Sequence, residues 1–487
     1  MSMQQDLEKL TNRRSTARDR IDLLMDQQSF VEIGAFVKSR QIDYNMTTIE
    51  TPADGVVTGY GTIEGRLTYV FSQDASVIGG SLGEMHAKKI TALYDLAIKT
   101  GAPIIGLLDS AGMRLQEGTD ALEGYGQIFI KQSMASGVIP QIMAVLGTCG
   151  GSSALLPSLA DFTFMKKEGT SLYLNSANTL DHTKASNDIL SGSAFNATES
   201  GMVDLVVEDE TQLLTGIRTL IELLPSNNKE EAPYGGTGDD LNRLIPSFNT
   251  DIIKGLDGRT ALSAIADVGT FMELKSEYGK DITLGLGKLG NMTVGLIASQ
   301  ATEGDGRMSL QGCDKIADFV NKLDAFGIPL VTLVDVVGYT ASLEETQAGQ
   351  SKYVAKMMSN FIHATVPKIS ILTHRAIGSA YVAFNSKHIG ADFVFAWPKA
   401  QVSFMEAESA VRIMYAKEIE TSTLASEIIK EKTKLYKEEQ MSPYKAASRG
   451  YIDDIIEPAA TRKRLIAALE MLYTKYMISP ERKHRSV

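Results

Sequence analysis

Gly101-Ala-Pro-Ile-Ile-Gly-Leu-Leu-Asp109 is answered 226 residues further on by Gly327-Ile-Pro-Leu-Val-Thr-Leu-Val-Asp335. Each stretch is a Gly-x-Pro turn followed by a short apolar run that ends on a carboxylate, the pattern of a buried strand leaving the core at a polar loop. The correspondence extends outward. Lys89-Ile90 recurs as Lys315-Ile316 at the same offset, and Val138-Ile-Pro-Gln-Ile142 has its counterpart in Thr365-Val-Pro-Lys-Ile369 at 227. A Gly-rich turn follows each proline, Gly147-Thr-Cys-Gly-Gly-Ser152 and then Ile377-Gly-Ser-Ala380, and each leads on to Ala-Asp-Phe, at 160–162 and 391–393. A period this long marks a duplicated domain, not a solenoid repeat.

The 487 residues suit two domains of similar size, expected at 1–232 and 245–487, with a polar segment rich in Pro and Gly at 225–240 as the linker. A content of 44% hydrophobic and 22% charged residues is that of an ordinary globular protein, and no apolar run is long enough to cross a bilayer. Residues 1–22 are charged and carry no secretory signal, which makes the cytoplasm the expected compartment. The two cysteines, Cys149 and Cys313, announce neither a disulfide framework nor a zinc site, and no histidine pair has metal-ligand spacing, so no metal is expected. A net charge of −11 argues against nucleic acid and anionic membranes as main partners.

Along the first half the pattern predicts an amphipathic helix over 1–28, a strand meander over 55–73, a helix over 87–99, strands at 103–108 and 142–146, and a short helix over 153–159. The second half predicts a strand at 294–299, a helix over 315–325, a strand at 330–334, a long helix over 351–364, a strand at 369–373, and a helix after the Gly turn. The fold class is therefore α/β.

Chemistry is expected where an apolar strand runs through a Gly-rich turn into a helix, because such a turn leaves backbone N–H groups unpaired and aims the positive end of the helix at a ligand. Two N–H groups converging on one point make an oxyanion hole. Gly150-Gly151-Ser152 and Gly378-Ser379-Ala380 both meet this description at matching places, which suggests two related oxyanion sites; the bland alternative is tight turns and close helix packing. The pair Lys88-Lys89 suits a nucleotide phosphate, or else a solvated helix face, and Asp109 and Asp335 are read as capping residues before catalytic ones. Gly59-Tyr-Gly-Thr-Ile-Glu-Gly65 has the wrong spacing for a dinucleotide fingerprint, Gly285-Leu-Gly-Lys288 lacks the Ser or Thr of a P-loop, and no Gly-x-Ser-x-Gly elbow occurs.

The segments Ala17-Arg-Asp-Arg-Ile-Asp-Leu-Leu24, Gly79-Gly-Ser-Leu-Gly-Glu84, Leu108-Asp-Ser-Ala-Gly-Met-Arg-Leu-Gln-Glu-Gly118, Asp324-Ala-Phe-Gly-Ile-Pro329, Ser386-Lys-His-Ile-Gly-Ala-Asp392 and Pro443-Tyr-Lys-Ala-Ala-Ser-Arg-Gly450 carry a resemblance to a known family. Nearly the whole chain resembles the biotin-dependent acyl-CoA carboxyltransferases: the β subunits of propionyl-CoA and acetyl-CoA carboxylases, the transcarboxylase core, and the α subunits of sodium-pumping methylmalonyl-CoA decarboxylases. The resemblance implies two tandem crotonase-like (ClpP/crotonase) ββα superhelical domains, the first serving acyl-CoA and the second biotin. It also implies an active site shared between the first domain of one subunit and the second domain of another, in a homohexamer.

By the same resemblance the thioester oxygen of acyl-CoA would rest on the N–H groups of Gly151 and Ser152, and the ureido oxygen of biotin on those of Ser379 and Ala380. Gly112, Gly150, Gly378, Tyr381 and Val382 would line the substrate sites, with Lys88 and Lys89 on the acyl-CoA side. The reaction would move a carboxyl group between biotin and a short acyl-CoA, methylmalonyl-CoA/propionyl-CoA or malonyl-CoA/acetyl-CoA, and needs no side-chain base. The chain contains neither a biotin-accepting Met-Lys-Met nor an ATP-binding loop. Its implied partners are thus a separate biotin carboxyl carrier protein and either a biotin carboxylase or membrane decarboxylase subunits.

The chain departs from the family pattern at both turns, where Ala-Gly-Gly is replaced by Gly150-Gly151-Ser152 and Gly-Gly-Ala by Gly378-Ser379-Ala380, and at Val382, where propionyl-CoA enzymes often have aspartate. The alternatives are a biotin-independent crotonase-like hydratase or hydrolase, for which no paired glutamates are evident, and a non-catalytic scaffold.

Overall fold

Each half of the chain builds its sheet in the same two moves, an antiparallel hairpin at one edge and then a run of parallel strands reached by helical crossovers. The computed structural model describes residues 17–41, 44, 46–176, 179, 190–235, 238–251 and 257–477, and the chain divides into two compact units, Met1–Pro233 and Tyr234–Val487. In the first unit β1 (Val31–Ile33), β2 (Val56–Ile63) and β3 (Arg66–Gln73) are antiparallel. From β3 the sheet continues in parallel through β4 (Ile104–Ser110), β5 (Gln141–Gly150), β6 (Phe162–Lys166) and β8 (Leu205–Val207), while the short β7 (Ser171–Tyr173) pairs with the end of β5.

The second unit repeats the plan. Strands β9 (Met272–Leu274), β10 (Ile282–Leu289) and β11 (Met292–Ser299) are antiparallel. Parallel pairing then runs through β13 (Leu330–Val336), β15 (Lys368–Ile377), β16 (Phe393–Ala396) and β18 (Asp454–Ile455), with β17 (Gln401–Ser403) against the end of β15. A separate two-stranded sheet joins β12 (Arg307–Met308) to β14 (Gly338–Tyr339). The register repeats too: Ile104 lies opposite Gln141 as Leu330 lies opposite Lys368. Both units are mixed α/β with parallel sheets.

The central strands are buried on both faces, which is why they read as continuous apolar runs: every residue of β4 and of β13 is buried. The crossover helices carry ordinary stop and start signals. Helix Glu84–Thr100 ends on Gly101 at φ +64°, a left-handed cap that only glycine adopts cheaply. Helix Leu310–Ala325 begins at Ser309, whose hydroxyl accepts from the N–H of Gly312. Strands β5 and β15 run three or more residues past their expected ends, into the Gly turns themselves. The helix expected over 1–28 is seen as Ala17–Leu24, and its earlier part lies outside the described residues. Helices Thr119–Ala135 and Ala425–Gln440 were not anticipated, because glycines interrupt the first and dense charge masks the apolar stripe of the second.

The repeated lysine has a structural reason. Lys89 is 7% exposed, and its ammonium donates to the carbonyls of Ala53, at 2.9 Å, and Val56. Lys315 is 1% exposed and donates to the carbonyls of Tyr278 and Ile282 at 3.0 and 2.7 Å. Each ties a crossover helix to the loop entering the hairpin, satisfying carbonyls that would otherwise be buried unpaired. Burial pushes the Lys315 ammonium down to about 7, against about 10.4 for an unperturbed lysine.

Between those two values the unfolded chain binds the extra proton, so the contribution of this position to stability rises with pH. Urea denaturation of wild type and Lys315→Met at several pH values tests this. The wild type should gain stability relative to the variant between about pH 7 and about pH 10, and a constant difference would show that the two carbonyls hold the ammonium fully charged.

Candidate active site: two left-handed glycine turns

Strand β5 passes into the first turn through Gly150, extended at φ −117° and ψ 156°, and Gly151, left-handed at φ +62°. A one-turn 3-10 helix, Gly151–Ala154, follows directly, so the N–H groups of Gly151 and Ser152 stand at its start, where no intrahelical acceptor exists. The two glycines are required for different reasons. A Cβ on Gly150 would lie 2.6 Å from the ring of Tyr173, whereas a Cβ on Gly151 would meet nothing within 4 Å, leaving open space in front of that backbone. Gly112, at φ +102°, closes the side of the turn, and a Cβ there would come within 3.3 Å of the Gly150 carbonyl. Behind the turn, Ser153 is buried and shares a 2.5 Å hydrogen bond with the hydroxyl of Tyr125.

In the second unit β15 ends at Ile377, and Gly378, at φ +67°, opens the helix Gly378–Ala383. Gly378 thus occupies the place of Gly151, at an offset of 227, and Ser379 that of Ser152. The expected pair Ser379 and Ala380 is therefore staggered by one residue against Gly151 and Ser152. Ser379 is exposed, Ala380 is buried, and the Tyr339 hydroxyl donates to the Ser379 carbonyl at 3.2 Å. Beside this turn lies a cavity of about 630 Å³ whose walls include Gly378, Ser379, Tyr381, Val382, Phe404 and Tyr436. Tyr381 is 3% exposed, its hydroxyl has no hydrogen-bond partner, and burial pushes its pKa up to about 12.

The remaining candidates separate cleanly. Lys88 is exposed and lies 2.6 Å from Glu84, where it can still meet an anion. Lys89 cannot: its ammonium is buried and spent on two carbonyls, which corrects its assignment as a phosphate ligand. The strand-end aspartates are anchors. Asp109 pairs with the buried Arg20 at 3.2 Å, and Arg20 also pairs with Glu210 at 3.0 Å. Asp335 accepts from Nε of Arg375 at 2.7 Å. Burial pushes the Asp335 carboxyl up, but hydrogen bonds from His374 and Arg375 outweigh it and hold the group below the usual range.

No nucleophile emerges from the thiols, since both cysteines are buried and burial raises both, Cys149 to about 12. His86 is fully buried, hydrogen-bonded to the Asp54 carbonyl at 3.0 Å, and driven down to about 3 by burial, so it stays neutral. Sequence reasoning assigned no role to Arg114. Its guanidinium, 1% exposed, binds Asp54 at 2.6 Å, Glu117 at 2.8 Å and the Ser81 carbonyl at 2.8 Å, fixing the glycine loop 79–83 beside β4. Among the described residues no group of three His, Cys, Asp or Glu could hold a metal, and no helix is long and apolar enough to cross a membrane.

Each unit thus carries one left-handed glycine where a buried parallel strand passes into a helix. The carboxyl transferase domain model matches residues 9–487, and the chain belongs to that family. It is 41% identical to a putative propionyl-CoA carboxylase β chain of Bacillus subtilis over 99% of this chain and 96% of the relative. It is 40% identical to the methylmalonyl-CoA decarboxylase α subunit of Propionigenium modestum, over 97% of this chain and 93% of the relative. The transcarboxylase 12S crystal structure, a hexamer with methylmalonyl-coenzyme A and methylmalonic acid bound, superimposes with a TM-score of 0.94 at 36% identity, covering 99% of this chain and 94% of the other.

The two classes of glycine should behave differently when mutated. A Cβ at Gly147 would sit 2.0 Å from Oδ1 of Asp109, so Gly147→Ala must displace the Asp109–Arg20 pair, costing about 3 kcal/mol or more in urea denaturation. Gly151→Ala meets only the left-handed backbone penalty, about 1–2 kcal/mol, and should remain folded by circular dichroism.

Proposed function

We propose that this carboxyltransferase moves a carboxyl group between carrier-bound biotin and a short-chain acyl-CoA, of the methylmalonyl-CoA/propionyl-CoA or malonyl-CoA/acetyl-CoA type. The supporting observation is the pair of left-handed glycines, Gly151 and Gly378, each opening a helix directly from a buried parallel strand. On this reading the N–H groups of Gly151 and Ser152 bind the thioester oxygen. They stabilise it more strongly as it gains charge, when the α-carbon loses a proton or a carboxyl group, which is the differential binding that lowers a barrier. Gly151 has to be left-handed and free of a Cβ for an oxygen to approach. Asp109 and Arg20 lock the neighbouring strand end, and Tyr125 with Ser153 holds the turn from behind, so the N–H pair is preorganised.

The second turn fits a carrier-bound ureido group. Gly378 gives the same approach, the N–H groups of Ser379 and Ala380 would hold the ureido oxygen, and the adjoining cavity of about 630 Å³ is of the size and apolar character that receive small ligands. Biotin, when bound, would supply the nitrogen that carries the carboxyl group. Because neither His86, the cysteines nor the strand-end aspartates offer an available base, the α-proton would pass to the ureido group held at the second turn, which would become basic on giving up its carboxyl group.

Tandem crotonase-like domains, 1–232 for acyl-CoA and 245–487 for biotin, hexameric assembly, and partnership with a biotin carrier protein and a biotin carboxylase or membrane decarboxylase subunits complete the proposal. High identity to both a carboxylase chain and a decarboxylase chain supports a half-reaction common to the two complexes.

The test is release of CO2 from malonyl-, methylmalonyl- and glutaconyl-CoA by the purified protein, with and without biocytin. Biocytin-dependent loss from one of them is expected and names the substrate; no loss from any would sink the reading. Gly151→Val should lower kcat by about 100-fold or more, the scale of a lost oxyanion donor, with an unchanged circular dichroism spectrum.

A further inference from the structure

The two units repeat more than their glycine turns. In the first, a parallel bridge joins Leu82 to Met113, the Leu82 N–H donates to the Gly112 carbonyl at 2.8 Å, and the Arg114 N–H donates to the Leu82 carbonyl at 2.9 Å. In the second, β12 and β14 pair Met308 with Tyr339, and the Thr340 N–H donates to the Met308 carbonyl at 3.0 Å. The offset is 226 again, so Tyr339 stands where the first unit has Met113. Met113 packs on the apolar core of its unit. This backbone strap therefore forms without a phenol.

Tyr339 is half-buried, and its hydroxyl donates to the Ser379 carbonyl at 3.2 Å. The Ser379 carbonyl and the Ala380 N–H are the two ends of one trans peptide group and point in opposite directions. The phenol thus stands behind the peptide whose N–H is presented by the second turn, and no side chain caps the helix that begins there. A hydrogen bond accepted at a peptide carbonyl polarises the group and strengthens its N–H as a donor, by about 10–30% per bond in a chain. Burial pushes the Tyr339 pKa above its ordinary range, so the phenol keeps its proton at neutral pH. At the first turn the matching carbonyl, that of Ser152, accepts instead from the backbone N–H of Leu155.

We infer that Tyr339 is a positioning residue of the second turn: its hydroxyl fixes and polarises the peptide between Ser379 and Ala380, so that the Ala380 N–H holds a ligand oxygen more tightly as that oxygen gains negative charge. The inference rests on the reading of Ser379 and Ala380 as the donors to the biotin ureido oxygen. Because the gain goes to the state that bears charge, it falls on kcat more than on KM.

Tyr339→Phe removes the hydroxyl and keeps the ring, and Tyr339→Met copies the matching position of the first unit. In biocytin-dependent CO2 release from the carboxyacyl-CoA that wild type turns over, both variants should lose about two- to eightfold in kcat, which is about 10–30% of the effect of one oxyanion donor on a logarithmic scale. KM for the carboxyacyl-CoA and the circular dichroism spectrum should not change. Fluorotyrosine incorporated at position 339 has a more acidic phenol and is the better donor, so at pH 7 its kcat should equal or exceed that of wild type. Its fluorine NMR resonance should shift when saturating biocytin is added without any CoA ester, a readout independent of turnover.

Equal kcat in Tyr339→Phe and wild type, a fluorotyrosine protein slower than wild type, or a fluorine resonance unmoved by biocytin overturns the inference and leaves the functional reading intact. A lower kcat in Tyr339→Phe accompanied by a higher KM for the carboxyacyl-CoA shows a residue that serves the fold alone, which also overturns it. A wild type without biocytin-dependent release overturns both.

Discussion

A parallel strand that must deliver its backbone straight into a helix cannot do so in ordinary right-handed conformations without a loop, and the left-handed residue at the junction is the constraint around which each unit is built. At Gly151 and Gly378 the chain reverses within one residue. The N–H groups that follow then project from the end of the sheet instead of joining a ladder. The neighbouring loops fit round the turn by further close approaches. Gly80 rests on the Asp109 carbonyl, where a Cβ would come within 2.2 Å, and Gly112 packs on the Gly150 carbonyl. Removing side chains at these points lets the loops close on the ends of β4 and β5.

Convergence of so much backbone in a buried region leaves carbonyls and carboxylates that need partners, and long cations reach them from outside the sheet. Lys89 and Lys315 serve the carbonyls below each hairpin. Arg20 holds Asp109 with Glu210, Arg114 holds Asp54 with Glu117, and Arg462, fully buried, holds Asp267 at 2.5 Å. Ion pairs of this kind add little net stability over apolar packing, yet losing one partner is expensive, so they act as locks on a particular arrangement. That serves a site made of backbone, whose precision depends on where strand ends stop. The same economy explains the scarcity of reactive side chains: polar groups near the turns, such as Asp109, Ser153 and Asp335, are committed to holding them.

Much of the fold was legible because its signals are local. The apolar runs at 104–110 and 330–336, the Gly-x-Pro turns before them and the capping glycine at 101 each report their own conformation through side chains a few residues apart. The lengths of β5 and β15 were underestimated, since the residues that extend them, 147–150 and 374–376 ahead of Ile377, are mostly small or polar and take strand geometry from β7 and β17, short partners with no clear signal of their own. Lys88 and Lys89 looked alike in sequence, yet only the second lies on the buried face of helix Glu84–Thr100. Its recurrence as Lys315 was the available hint, because a lysine kept in both halves is more economically explained by a shared structural task than by a ligand only one half binds.

The amino-acid sequence by itself determined the duplication, the order of strands and crossovers, the family and the position of both glycine turns, since these depend on composition and spacing along the chain. Only the tertiary structure decided that Gly151 and Gly378 are the left-handed residues and that Asp109 and Asp335 are anchors. It alone decided that Lys89 is withdrawn from solvent and that the Tyr381 hydroxyl is buried without a hydrogen-bond partner. Each of those outcomes depends on a group brought from far along the chain, such as Arg20 to Asp109 or the hairpin carbonyls to Lys315. Burial and partnership are properties of that meeting, which no local pattern encodes.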